Sequence, residues 1–396
     1  MNENLLHKKV QEYLKANEQT AVSSFALKAS PFSGITSKEL AQQLAGRQKA
    51  KHKLPSWFAN SLVLYPPVLN LEQTSSEKTA NYKSELVSGN SLVDVTGGFG
   101  IDSYYFSKKI TSVIHCELNE SLQQLAAHNF KQFGINNVQS MHADGIQTVL
   151  AQSDLDWVYI DPSRRNDVKG KVFFLEDCLP NVPEIQEAIF KKTSHILVKT
   201  APILDIAVGM KSLKFVKEIH VVAVKNEVKE LLWLMENGFC GMPKIIATNI
   251  LKSNKKVTVN LTLNAEKKSQ VIYGETASFL YEPYASLMKT GAFNWISEHY
   301  QLSKLATNSH LYTSNKKIEF AGRVFKVNNV NHYNKKTMKT LIGENVNVVT
   351  RNFKETVAQL RKKYKLKEGA ERYLFFTTDM HNKQIVIDCI KLVHHE

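Results

Sequence analysis

Residues 91–102 read S-L-V-D-V-T-G-G-F-G-I-D. An apolar run closes on Asp94, and Thr96, Gly97, Gly98 and Gly100 come directly after it. Glycines there let backbone approach a ligand with no side chain in the way. Asp102 begins a helix whose first amides face the same space. Glu117 ends the next apolar run, 19 positions beyond Gly98. A carboxylate at that place can accept hydrogen bonds from both hydroxyls of a ribose. Asp144 closes M-H-A-D and can accept from an adenine amino group. A further acid, Asp161, ends W-V-Y-I-D and leads into Pro162, Ser163 and Arg164.

The glycine turn with Glu117 fits NAD, FAD and S-adenosylmethionine equally. Ser103 stands where a dinucleotide fingerprint wants a third small residue, Gly or Ala. Asp144 and the Asp161-Pro162 pair favour the methyl donor, because its sulfonium needs an adjoining acceptor-rich pocket, which a dinucleotide does not. A guanidinium at Arg164 can stack on a base or hold a phosphate. Cys178, in F-L-E-D-C-L-P, is the cysteine nearest this edge and reads as a buried structural residue. Glu176 and Asp177 read as a second acidic element or a helix cap. Lys199, ending a later run, reaches either substrate or solvent.

The elements that must carry these residues are set by periodicity. Short, nearly continuous apolar runs at 91–95, 112–117, 137–144, 157–162, 195–200 and 219–225 alternate with helical segments. That pattern predicts an α/β, doubly wound, mostly parallel Rossmann-like sheet covered on both faces. The strand tips are where such sheets bind ligands. The alternating run at 257–263 predicts a last strand, one able to pair antiparallel. Residues 1–70 predict a helical region, with Thr36 and Glu39 in a capping box and a basic run through Arg47, Lys49, Lys51 and Lys53. A single helix is expected over 71–87. Residues 278–322 predict a small module opening on a helix that contains Pro283. Residues 323–396 predict strand–helix–strand–helix–strand–strand.

In its detail D-V-T-G-G-F-G-I-D, with S-S-E-K-T-A-N-Y-K before it and I-D-P-S-R-R after it, the sequence resembles the class I S-adenosylmethionine-dependent methyltransferases. It resembles in particular an uncharacterised bacterial family with a C-terminal THUMP-like domain. The resemblance implies a methyltransferase domain over 71–265, a ferredoxin-like module over 278–322 and a THUMP-like domain over 323–396. It implies S-adenosylmethionine as cofactor, seated by Asp94, Thr96, Gly97, Gly98 and Gly100, with Glu117 on the ribose and Asp144 on the adenine. Asp161, Pro162, Ser163 and Arg164 become the catalytic motif. In amino-methylating relatives the acid and a backbone carbonyl accept the amine's hydrogens, which the resemblance implies for Asp161; those relatives carry a second proline and an aromatic where Ser163 and Arg164 stand.

Net charge is +14, with a pI near 9.3, which points to a polyanion. Residues 331–396 hold 13 Lys plus Arg against 7 Asp plus Glu. Lys335, Lys336 and Lys339 share one predicted helix, and Arg361, Lys362 and Lys363 another, which marks them as phosphate contacts. The expected partner is therefore RNA, either tRNA or rRNA, methylated on a base nitrogen. A protein or small-molecule methyltransferase and an inactive RNA-binding protein are the alternatives. Four separated cysteines give no metal or disulfide pattern, and no apolar run is long enough for a membrane span, so a cytoplasmic, metal-free protein is expected.

Overall fold

The computed structural model describes residues 1–164, 174–369 and 371–392, with Arg164 described by its backbone only. The chain forms two compact units, residues 1–218 with 229–241, and residues 219–228 with 242–396.

The first unit opens on helices α1 (Lys8–Ala16), α2 (Val22–Ala26), α3 (Ser37–Lys53), α4 (Pro55–Ala59), α5 (Val68–Gln73) and α6 (Glu77–Ser84). The capping box on α3 forms as expected: Thr36 accepts from the Glu39 amide and Glu39 accepts from the Thr36 amide. The helix expected over 71–87 is instead two. Ser76 makes its own capping box with Thr79, and a serine cap in extended conformation cannot lie inside a helix. Residues 1–70 share a core with Phe99, Tyr104 and Phe130. Trp57 lies 5.0 Å from the Phe99 ring and 5.5 Å from Tyr104. Leu44 and Tyr65 belong to the same cluster.

Strand β1 (Gly89–Asp94) and helix α7 (Ile101–Phe106) come next. After them stand β2 (Ile110–Glu117), α8 (Glu120–Gln132), β3 (Val138–His142), α9 (Gly145–Ala151) and β4 (Leu155–Ile160). A two-residue ladder joins β5 (Ser163–Arg164) to β6 (Cys178–Leu179). Helix α10 (Val182–Phe190), β7 (Thr193–Thr200), α11 (Ile206–Ser212), β8 (Val216–Val224) and β9 (Glu227–Glu236) complete this stretch. The first unit's sheet has the order β9-β7-β4-β1-β2-β3. Pairing is parallel from β7 to β3, and β9 runs antiparallel to β7. The order reverses beside β1, so the tips of β1 and β4 flank the crevice where such sheets take ligands.

The second unit contains β10 (Lys244–Ile250) and β11 (Lys256–Thr262), an antiparallel pair, which is the direction open to the last alternating run. Then come α12 (Ala265–Lys268), β12 (Phe279–Pro283), α13 (Ala285–Lys289), α14 (Phe293–Tyr300), β13 (Ser303–Lys304), β14 (Tyr312–Ser314) and β15 (Gly322–His332). The last elements are α15 (Lys335–Lys339), β16 (Asn347–Thr350), α16 (Val357–Tyr364), β17 (Arg372–Thr378) and β18 (Gln384–Lys391). One seven-stranded sheet, β13-β14-β12-β15-β18-β17-β16, runs through the boundary expected near 322. Residues 279–283, expected as helix, are a strand paired on both sides, with Pro283 at its end, where a missing amide is tolerated.

Candidate active site

Four of the sequence-predicted acids, Asp94, Glu117, Asp144 and Asp161, come to the carboxyl ends of β1, β2, β3 and β4. Asp94 ends β1 and is 1% exposed. One of its oxygens accepts from the Thr96 amide at 3.1 Å, the other from the Ser103 hydroxyl at 2.5 Å. Ser103, which departs from the dinucleotide fingerprint, is thus the residue that holds the β1 acid. Burial pushes Asp94 up to about 8; the neighbouring Asp102 and Asp161 add to the rise, and the two hydrogen bonds oppose it.

The glycines divide their work. A side-chain carbon on Gly97 would lie 2.3 Å from the His115 ring, and one on Gly100 would lie 2.5 Å from Phe130. Those two permit packing. Gly98 has φ +55°, and a side chain there would meet nothing closer than 3.8 Å. Its open flank is the backbone approach expected of the whole turn. His115 is buried beneath the turn, held down to about 4 chiefly by burial, and so neutral. One ring nitrogen lies 3.3 Å from the Gly98 carbonyl and the other 3.0 Å from Ser140 Oγ.

Glu117 accepts from the Gly98 amide at 2.9 Å and the Asn119 amide at 2.7 Å, one on each oxygen. A carboxylate has about four acceptor sites, so two stay available to a ribose. Asp144 caps α9: one oxygen accepts from the Ile146 and Gln147 amides, at 2.8 and 3.1 Å. That oxygen is engaged by the fold, which leaves the second one for a ligand.

Asp161 is fixed at both ends. Its amide donates to Thr96 Oγ1 at 2.7 Å, which ties the β4 tip to the glycine turn. Its carboxylate accepts from Lys199 Nζ at 2.5 Å, with the two side chains 28% and 16% exposed. Burial works to lower the Lys199 pKa, but Asp161, Glu230 and Asp102 outweigh it and hold the ammonium firmly protonated. Pro162 is buried and Ser163 exposed. The Arg164 side chain and Arg165 lie outside the described residues. Cys178 is buried, its thiol 3.7 Å from the Phe174 carbonyl, and Glu176 accepts from Ser212 Oγ at 2.8 Å.

Beneath this row lies a network that the sequence does not disclose. Lys83 on α6 is completely buried. Its ammonium donates to Ser75 Oγ at 2.9 Å and to both Glu230 oxygens at 3.0 and 3.1 Å, and sits 3.2 Å from Asp102 Oδ1. Asp102 Oδ2 accepts from Ser75 Oγ at 2.8 Å and from the Tyr159 hydroxyl at 2.9 Å. Glu230 is 2% exposed, and burial raises its pKa against the pull of Lys83 and Lys199. Three carboxyl groups, Asp102, Glu230 and Asp161, thus meet two ammonium groups, Lys83 and Lys199, with Asp94 held nearby by Ser103 and Thr96. A cationic ligand favours the ionised form of Asp94, which burial otherwise keeps protonated below about pH 8. Lys53 joins its surroundings. Its ammonium donates to the Leu71 and Glu72 carbonyls at 3.0 and 2.7 Å, and is pushed down to about 8 by burial and then by Lys49, Lys199 and Lys229.

In the second unit the basic residues differ in availability. Lys335, Lys336, Lys339 and Lys362 are exposed. Arg361 donates to the Leu366 and Val346 carbonyls, at 3.5 and 3.3 Å, and Lys363 donates to Glu355 at 2.8 Å. Among the described residues no His, Cys, Asp and Glu side chains gather to hold a metal. No described helix is long and apolar enough to cross a membrane.

Comparison with known proteins agrees with this architecture. Residues 279–320 match a ferredoxin-like domain family and residues 322–391 a THUMP-like one. A crystal structure of a "putative methyltransferase" from Porphyromonas gingivalis W83 superposes with TM-score 0.87 at 28% identity, covering 99% of each chain. Weaker similarity reaches an rRNA methylase from Streptococcus thermophilus, with TM-score 0.30 and 14% identity over 40% of this chain and 93% of that one. TrmK from M. capricolum, in complex with S-adenosyl-homocysteine, gives TM-score 0.32 and 14% identity over 41% and 69%. No curated protein matches by sequence. The expected likeness to methyltransferases with a THUMP-like C-terminal domain therefore holds, as do the α/β sheet and the small α+β C-terminal domains.

Proposed function

We propose that this chain is an S-adenosylmethionine-dependent methyltransferase acting on a base nitrogen of RNA. The observation that carries the reading is the paired fixing of Asp161, by Thr96 on its amide and Lys199 on its carboxylate, next to the one open glycine of the turn. The likeness along the whole chain to the P. gingivalis protein supports it. The residues present fit the cofactor. Gly98 leaves room for it, Glu117 keeps acceptor capacity for a ribose, Asp144 for an adenine, and Asp94, ionised by a bound cation, suits a sulfonium. When bound, the cofactor supplies a methyl group on a positively charged sulfur.

Asp161 accepts the hydrogens of the acceptor amine and turns its lone pair toward that methyl. Lys199 holds one carboxylate oxygen, so the other is presented in a fixed direction. Positioning of this kind supplies most of the acceleration in a displacement reaction. Exposed Lys335, Lys336, Lys339 and Lys362 serve as phosphate contacts for the RNA. The test is transfer of labelled methyl to total RNA, compared with total protein. Label in RNA that disappears with Asp161→Ala, while cofactor binding stays, supports the proposal. Label in protein alone, or full activity of Asp161→Ala, refutes it. RNA affinity must also fall steeply with added salt.

A further inference from the structure

The basic run of α3 divides once the helix forms. Arg47 is buried and donates to Glu18 Oε1 from two nitrogens, at 3.1 and 2.6 Å. Lys49 pairs with Glu72, and Lys53 donates to two carbonyls. Lys51 is left exposed, with no hydrogen bond or ion pair among the described residues. Gln48, Lys51 and His52 stand at i, i+3 and i+4, the spacing that puts side chains on one helix face. That face lines a cleft of about 390 Å³, whose other walls are residues 18–21 and Phe58.

The walls are held in place by the fold. Gln48 Nε2 donates to the Glu18 and Thr20 carbonyls at 3.0 and 2.8 Å, which fixes residues 18–20 against α3. The Arg47 guanidinium lies 5.1 Å from the centre of the Phe58 ring and backs that wall. Both Gln48 bonds use its nitrogen, and both Arg47 bonds end on one Glu18 oxygen. Gln48 Oε1 and Glu18 Oε2 therefore accept nothing among the described residues. Arg47 neutralises Glu18, so the unpaired Lys51 makes the cleft net positive. A nucleotide uses each of these groups. Its phosphate needs a cation, its flat base needs a ring, and a base with an exocyclic amino group offers hydrogens to acceptors. An acidic peptide would use Lys51 and leave the ring and both acceptors unmatched.

We propose that this cleft on the N-terminal helices binds one unpaired RNA nucleotide whose base carries an amino group. The base lies on Phe58, its amino group donates to Gln48 and Glu18, and its phosphate meets Lys51, with His52 beside it. The volume is in the range of sites that enclose a small ligand. The choice of RNA rests on the functional reading, but binding in the cleft is measured without methyl transfer.

The test is fluorescence anisotropy of the full chain with labelled hexacytidylate and hexauridylate, whose bases differ by an amino group in place of a carbonyl. Wild type binds hexacytidylate several-fold more tightly. Lys51→Glu, at an exposed position, weakens both oligomers several-fold and lowers the salt slope by about one. Phe58→Leu weakens binding by about five-fold or more and leaves the salt slope unchanged, because stacking carries no charge. Lys9→Glu, an exposed lysine outside the cleft lining, stays within about two-fold of wild type and controls for net charge. Equal affinity for the two oligomers, a Lys51→Glu effect no larger than that of Lys9→Glu, or equal competition by hexaglutamate overturns the site. If label still enters RNA in those cases, only the cleft is struck and the proposed function stands. Binding of neither oligomer, with label in protein alone, overturns both.

Discussion

Replacing Lys83 with methionine tests whether the network under the site is assembled as described. The change keeps the stem and removes the ammonium that donates to both Glu230 oxygens. Asp102 retains Ser75 and Tyr159, whereas Glu230 keeps only the more distant field of Lys199. Removing one side of a buried ion pair costs about 3–5 kcal/mol, and Lys83 and Glu230 are 0% and 2% exposed, so no screening reduces it. Most domains are stable by only about 5–15 kcal/mol, so the loss is easily read from denaturant midpoints. It also carries a pH signature. With Lys83 gone, the folded-state pKa of Glu230, already raised by burial, rises further. A raised carboxyl contributes stability below its unfolded range and loses it as pH rises through the folded value. The deficit against wild type therefore grows as pH rises above the ordinary carboxylate range and shrinks as pH falls back toward it. Adding Glu230→Gln to Lys83→Met recovers part of it, because a neutral amide needs no counter-charge. A Lys83→Met protein within about 1 kcal/mol of wild type, or a deficit independent of pH, would refute the reasoning.

Two further outcomes rest on the same geometry. Thr96→Val removes the hydroxyl that accepts from the Asp161 amide; leaving that donor unpaired costs about 1–3 kcal/mol, so turnover falls at least several-fold while Thr96→Ser stays near wild type. Turnover of Thr96→Val equal to wild type would show that Asp161 needs no such anchor. Because Asp94 is pushed up to about 8 and a bound cation favours its ionised form, donor affinity rises with pH by up to about ten-fold per unit below that value and levels above it. Binding then releases a proton, visible as buffer-dependent calorimetric heat; an affinity flat between about pH 6.5 and about pH 8.5 would contradict this.

Much of the fold was legible because local signals were strong. Thr36 with Glu39, and Asn119 at the start of α8, cap their helices as their types predict. Apolar runs closing on Asp94, Glu117 and Asp161 placed three acids at one sheet edge. What stayed hidden depended on distant partners. Lys83 and Glu230 are 147 positions apart, and nothing local marks either as buried. Strand β9 also escaped notice. Its first residues are charged, and an antiparallel strand interrupts the alternation of strand and helix that organised the reading. Residues 279–283 read as helix because F-L-Y-E-P is buried almost throughout and shows no period of two. Glu282 in that strand is tolerated only because Arg323 and Arg351 reach it from elsewhere. Similarly, Arg361 and Lys363 look like surface charge until carbonyls and Glu355 are placed next to them.

The central claim is that the tips of β1, β2 and β4, with the open flank of Gly98, bind a cationic methyl donor. Calorimetric titration of the full chain with S-adenosylmethionine tests it most directly. Saturable one-to-one binding is expected, weakened strongly by Glu117→Ala and left largely intact by Asp161→Ala. Absence of binding to the folded wild-type chain, or binding indifferent to Glu117, would contradict it.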